Sequence, residues 1–247
     1  MDFYAHVNMA QILKKPSHFL HFTESIRAFF ETVRGFIFYW FAKKTTEGDQ
    51  RPILVVPGLL TSDISTIILR KYLTKKGFKV YGWEMGTNLG RLHKLPMLIK
   101  NIKGHSDKHN QKIILIGWSM GGLFCREVCH QMPQYISQVI TLGSPFVDIH
   151  APNNAKWVFD LLNDSSKVDQ ELIKRLPLQT TMPSLSIFSR KDGIVAWQVC
   201  KDKAVDVYHQ NIEVSSSHFG MGAHPEVLKI IFANIISMSN INNVVNG

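Results

Sequence analysis

The sequence predicts an α/β protein, a sheet of roughly six mainly parallel strands with helices on both faces. Three observations lead there. From residue 51 onward, short β-rich runs alternate with helical lengths. Two of the runs, 53–56 and 113–116, are wholly apolar, as strands covered on both faces must be. With 45% hydrophobic and 19% charged residues, 247 residues provide the core of one large domain. The same balance excludes a disordered, collagen-like or coiled-coil chain.

Residues 1–50 read as an amphipathic helical extension. Glu24, Arg27, Glu31 and Arg34 fall on one helical face, where opposite charges pair at i,i+3 and i,i+4. The other face carries Phe22, Ile26, Phe29, Phe30, Val33, Phe36, Ile37 and Trp40. Two readings stay open for that face: packing on the sheet, or lying in a bilayer interface. A polar stretch at 45–50 separates the extension from residues 51–247. There the expected strands are 53–56, 78–82, 112–116, 138–142, 184–188 and 211–214, and the expected helices 64–75, 92–102, 120–131 and 225–238. Alternation of this kind calls for right-handed crossovers. Only 146–182 breaks it, with helices expected near 156–162 and 168–176.

Chemistry concentrates where strands end. The apolar run at 112–116 leads into Gly117-Trp-Ser119-Met-Gly121, and a helix follows at once. A serine at such a turn projects above the sheet, provided that the residues two away on either side have no side chain to clash. The following helix aims its N-terminal amides at the place where negative charge develops. A serine hydroxyl needs a base, and the base an orienting acid, in the chain order Ser, Asp, His. Asp192 follows the strand at 184–188, and His218 follows the strand at 211–214. His224, just before Pro225, is the rival base. For an oxyanion hole, Met120 offers one backbone N–H; Leu59, in the Pro57-Gly58 turn after the first strand, offers the second.

Several stretches carry a wider resemblance: Val55-Val-Pro-Gly-Leu-Leu-Thr-Ser-Asp63, Tyr81-Gly-Trp-Glu-Met-Gly-Thr-Asn-Leu-Gly90, Gly117-Trp-Ser-Met-Gly-Gly122, Thr141-Leu-Gly-Ser-Pro145, Asp192-Gly-Ile-Val-Ala-Trp197 and Ser217-His-Phe-Gly-Met-Gly222. From 51 to 238 the chain resembles the α/β-hydrolase superfamily, and within it a lipase- or esterase-like group of bacterial serine hydrolases. The resemblance implies an α/β-hydrolase fold with Ser119 as nucleophile, Asp192 as acid and His218, not His224, as base. It also implies a short cap at about 146–182. Members usually begin with two further strands, and here the helix at 18–43 stands in their place, hence a minimal six-stranded version. No cofactor or metal is called for. A small-molecule ester or lipid is the expected substrate. An acyl-carrier or acyl-CoA thioesterase or acyltransferase would use the same residues, and a non-catalytic interaction module is the remote third reading. Trp118, Leu59, Leu60, Trp157, Phe159 and Trp197 are candidates for an acyl pocket.

The net charge of +9 is local. Residues 51–110 hold eleven basic and three acidic side chains, whereas 111–247 hold eleven of each. No nucleic-acid motif or interleaved aromatics accompany the basic residues, so nucleic acid is not expected as a partner. An anionic membrane surface or an acidic acyl carrier fits better. Three cysteines, Cys125, Cys129 and Cys200, fit a reducing cytoplasm, and the N-terminus has no secretory signal pattern. The expected location is therefore cytoplasmic, with peripheral membrane association under the interfacial reading of the helix. His105, Asp107 and His109 read as a solvated turn, not a metal site.

Overall fold

The computed structural model describes residues 14–149, 151, 153–154 and 170–246. Helix α1 (His18–Phe41) precedes β1 (Pro52–Val56), α2 (Ile67–Lys75), β2 (Lys79–Tyr81), α3 (Leu95–His109), β3 (Ile113–Trp118), α4 (Met120–Gln131) and β4 (Ile136–Leu142). After them come α5 (Gln170–Arg175), β5 (Ser184–Phe188), β6 (His209–Glu213) and α6 (Pro225–Asn246). The six strands form one sheet in the order β2-β1-β3-β4-β5-β6. Every neighbouring pair is parallel. The expected six-stranded α/β-hydrolase architecture is the one found.

Apolar strands split the core in two. Ile53 and Val55 of β1 face a cluster completed by Leu69 and Leu73 of α2 and by Val227, Leu228, Ile231 and Ile235 of α6. Leu54 and Val56 face the opposite layer, with Leu98 and Ile102 of α3 and Phe124, Cys125, Val128 and Cys129 of α4. Both cysteines on α4 are thus packing residues, and burial pushes the Cys129 thiol up to about 12. Of the two helices expected in the 146–182 stretch, α5 is found at Gln170–Arg175, and 156–162 lies outside the described residues. The segment expected as a solvated turn around His105 and His109 is instead the last turn of α3. There His105 stacks on Tyr81 with centroids 3.7 Å apart, and His109 Nε2 lies 2.6 Å from the Tyr81 hydroxyl. Those aromatic contacts extend the helix beyond its expected end, and no metal-ligand cluster exists among the described residues.

Helix α1 faces the other way from the packing expected for an amphipathic helix. Ser17 caps it through Oγ, which accepts from the Leu20 N–H. Its inward stripe is Glu24, Ala28, Glu31 and Gly35, with Glu24, Ala28 and Gly35 buried and Glu31 half-buried. Gly35 lies against the Ala223 carbonyl, where any Cβ would collide. Only near its end do Phe38 and Tyr39 reach the α2–α6 core, Phe38 packing on Tyr72 at 5.5 Å. The long apolar stripe points outward.

Candidate active site

Ser119 sits between β3 and α4 at φ 53° and ψ −121°, a conformation unfavourable for a residue with a Cβ. The motif glycines permit it. A Cβ on Gly117 would strike the Gly122 backbone, and one on Gly121 would strike the Val56 and Pro57 carbonyls. The Ser119 N–H donates to the Leu142 carbonyl at 2.7 Å, tying the turn to β4. Met120 opens α4, so its N–H is among those that helix geometry leaves without an intrahelical acceptor.

Asp192 and His218 meet Ser119 above the carboxyl ends of the strands. His218 Nδ1 lies 2.6 Å from Asp192 Oδ2, and His218 Nε2 lies 3.0 Å from Ser119 Oγ. The second Asp192 oxygen accepts from the Ile194 and Val195 N–H groups at 2.8 and 2.7 Å. With Oδ1 so occupied, the carboxylate is held still and presents Oδ2 to the ring. Both side chains are buried. Burial alone would push the His218 ring down; the charge and hydrogen bond of Asp192, reinforced by the charge of Glu24, outweigh it and hold the ring above its ordinary value. Trp118 Nε1 donates to the His218 carbonyl at 3.1 Å. His224 lies elsewhere: its Nδ1 accepts from the Glu226 N–H at the start of α6, and burial lowers its pKa.

Leu59 and Met120 flank Ser119, Leu59 from the loop that follows β1. Asn88 braces that loop. Its Nδ2 donates to the Pro57 carbonyl at 2.8 Å, and its backbone carbonyl accepts from the Leu60 N–H at 2.7 Å. Asp63, at the end of the same loop, accepts from the Trp83 and Glu84 N–H groups, both at 3.0 Å. The stretches at 55–63 and 81–90 are thus two halves of one structure. A pocket of about 300 Å³ opens here, walled by Leu59, Leu60, Trp118, Ile194 and Phe219 with Ser119 and His218 at its base. Of the acyl-pocket candidates, Trp118, Leu59 and Leu60 line it. Trp197 does not; it stacks on Phe188 with centroids 5.6 Å apart. Trp157 and Phe159 lie outside the described residues.

Two residues of the site come from α1, where the sequence identifies them only as members of a charged helical face. Glu24 accepts from the Gly193 N–H at 3.0 Å and from the Phe219 N–H at 2.9 Å, one neighbour each of Asp192 and His218. Glu31 accepts from the Ser217 N–H at 3.0 Å, from the Ser217 hydroxyl at 2.7 Å and from the Ser216 hydroxyl at 2.9 Å. Arg27 pairs with Glu24 at 2.7 Å and donates to the Lys191 carbonyl. Burial pushes the Glu24 carboxyl above its ordinary range; the Asp192 charge adds to that, against the Phe219 N–H, His218 and Arg27. From the other side, Asn154 Nδ2 donates to the Gly193 carbonyl at 2.7 Å. The signal for α1 lay in the small residues: Ala28 and Gly35 interleave with Glu24 and Glu31, and a stripe of small residues permits close approach.

A family model described as a PGAP1-like alpha/beta domain matches residues 79–217, a span that contains Ser119 and Asp192 and ends one residue before His218. Among solved structures, the chain is similar to the mature form of the lipase BlEst2 from Bacillus licheniformis, with a TM-score of 0.58 and 16% identity, over 79% of this chain and 95% of that one. It is similar to a monoacylglycerol lipase from Paleococcus ferrophilus, with a TM-score of 0.52 and 15% identity, over 78% and 96% of the two chains. A thioesterase domain from the curacin biosynthetic pathway matches with a TM-score of 0.50 and 12% identity, over 76% and 91%. No curated protein matches the sequence. At these identities the likeness to solved structures is one of fold.

Proposed function

The chain belongs to the PGAP1-like alpha/beta domain family, within the α/β-hydrolase superfamily, and from that premise we propose that it is a serine hydrolase that cleaves carboxylic esters. The observation that carries this reading is the hydrogen-bonded series Asp192–His218–Ser119, buried at its acid end and open to an apolar pocket at its hydroxyl end. The His218 Nδ1–H donates to Asp192, which leaves Nε2 to accept the Ser119 proton as Oγ attacks the acyl carbonyl. Negative charge collects on the carbonyl oxygen, and the backbone N–H groups of Leu59 and Met120 receive it. The protonated ring then gives its proton to the leaving alcohol oxygen. Water, activated by the same imidazole, releases the acid from the acyl-enzyme and restores Ser119. No step needs a metal or organic cofactor.

Residues 51–247 would form the catalytic unit, with 1–50 as an extension that completes the Asp192 and His218 loops. The same residues serve a thioesterase, and the leaving group decides between the two. The test is a panel of nitrophenyl esters of increasing acyl length set against acyl-thioesters, read together with labelling by a fluorophosphonate probe. Ester turnover and labelling should both vanish in Ser119→Ala while the fold persists. Full activity in that variant would overturn the assignment; faster thioester than ester turnover would move it to a thioesterase.

A further inference from the structure

No neighbour covers the outward stripe of α1 among the described residues. Phe19, Phe22, Ile26, Phe29, Phe30, Val33, Phe36, Ile37, Trp40 and Phe41 are all exposed, Phe22 to 85%, Phe41 to 79% and Trp40 to 66%. Such a contiguous apolar surface is rare on a protein that meets only water. It does not arise from loose attachment of the helix. Glu24 and Glu31 bind five backbone or hydroxyl donors of the Asp192 and His218 loops, and Gly35 seats the helix against Ala223, so the stripe is locked outward.

We propose that this face of α1 is a docking surface for an anionic phospholipid bilayer, into which it lies flat and brings the pocket to lipid. Three observations select that occupant. First, no described helix is long and apolar enough to cross a membrane, and α1 carries four charged side chains along its polar side. A helix that is apolar on one side and charged on the other lies in an interface plane. Second, the aromatic end of the stripe is bordered by cations: Lys43 and Lys44 follow Phe41, Lys75 Nζ binds the Tyr39 and Trp40 carbonyls, and Lys76 Nζ binds the Lys43 carbonyl. This is where part of the local positive excess resides, and it complements phosphate headgroups. Third, the pocket opens beside α1: Phe219, whose N–H is held by Glu24 of α1, lines it and is 46% exposed, and Leu60, another lining residue, is 51% exposed. Docking itself stands apart from the chemistry; that the docked enzyme acts on lipid acyl esters rests on the hydrolase reading.

The experiment uses the full chain carrying Ser119→Ala, so that vesicle lipid survives, and sediments it with vesicles of phosphatidylcholine with or without phosphatidylglycerol. A second protein adds Phe22→Ser, Phe29→Ser and Trp40→Ser to that background. Binding is expected to phosphatidylglycerol vesicles, weakened by high salt. The triple change should weaken it by on the order of a hundredfold or more. In the Ser119 parent, the triple change should leave hydrolysis of a short soluble ester intact, which shows that the variant folds. A wild-type stripe that leaves the protein in the supernatant overturns the proposal, as does a triple variant that binds equally well. A lipid-free dimer that the triple change splits into monomers also overturns it, because a second copy then covers the stripe. Vesicle binding without any ester turnover would sink the hydrolase reading and leave the docking surface standing.

Discussion

Helices α1 and α6 are both long and apolar, they touch each other, and both lie on the α2 side of the sheet. They nonetheless turn opposite faces to the protein. Helix α6 buries Val227, Leu228, Ile231 and Ile235 against β-strand side chains. Helix α1 turns its carboxylates inward and leaves every phenylalanine but Phe38 in the open. The difference follows from what lies beneath each. Under α6 is a sheet face of mainly apolar side chains, where the one buried amide of β4, Gln138, is met by Asn234 of α6 at 2.6 Å. Under the first half of α1 are the turns after β5 and β6, whose backbone N–H groups at Gly193, Ser217 and Phe219 need acceptors. A helix laid over exposed backbone donors is stabilised by its acidic stripe. Amphipathic periodicity identifies two stripes, and the surface beneath decides which of them goes in.

The largest effect expected from this contrast is on α6. Ile231→Ala empties a fully buried site and should cost about 2–5 kcal/mol in denaturant unfolding. A cost below about 1 kcal/mol would mean that α6 is not the packed partner of the sheet. Next comes the acidic stripe. Glu31→Ala strips the acceptor from the Ser217 N–H and from two hydroxyls, a loss of about 1–3 kcal/mol. Because His218 follows Ser217 directly, kcat/KM for a soluble ester should fall with it, by up to about 10²-fold. Unchanged turnover would reduce Glu31 to a fastening of α1.

Glu24→Gln separates position from charge. In the native protein the Glu24 carboxylate helps hold the His218 ring above its ordinary value of about 6.5. The ring works as a base only when neutral, so turnover is lost as pH falls through that raised value. Removing the charge lowers the ring's pKa, and the acid limb of the kcat/KM profile should move to lower pH while the plateau drops. A plateau that drops with an unmoved limb would make Glu24 a loop anchor only.

What the sequence makes legible, and what it hides, divides along the same line. Ser119, Asp192 and His218 stand at strand ends, and strands buried on both faces announce themselves as apolar runs, so their meeting follows from chain order and topology. The roles of Glu24 and Glu31 were hidden because their i,i+3 pairing with Arg27 and Arg34 looks the same on a solvated face as on a buried one. Asn88 was hidden for a related reason. It braces the Pro57–Leu60 loop from about thirty residues away, and hydrogen bonds of that reach leave no period to detect. Even the last turn of α3 depends on a distant partner, since Tyr81 stacks on His105 and bonds to His109.

The smallest expected effect is the most discriminating. Ile26→Ala is the same chemical change as Ile231→Ala, made on the outward stripe, where Ile26 is 59% exposed and Ile231 is 0%. In lipid-free solution the unfolding free energy should shift by less than about 0.5 kcal/mol. Alanine's better helix propensity offsets part of the little contact that is lost. The shift should stay this small when the protein is concentrated, because a bilayer, not another protein surface, is the proposed cover. A destabilisation of about 2 kcal/mol or more would mean that Ile26 is buried in the lipid-free protein. In that event the contrast between the two helices would disappear, and α1 would be a second core helix awaiting its partner.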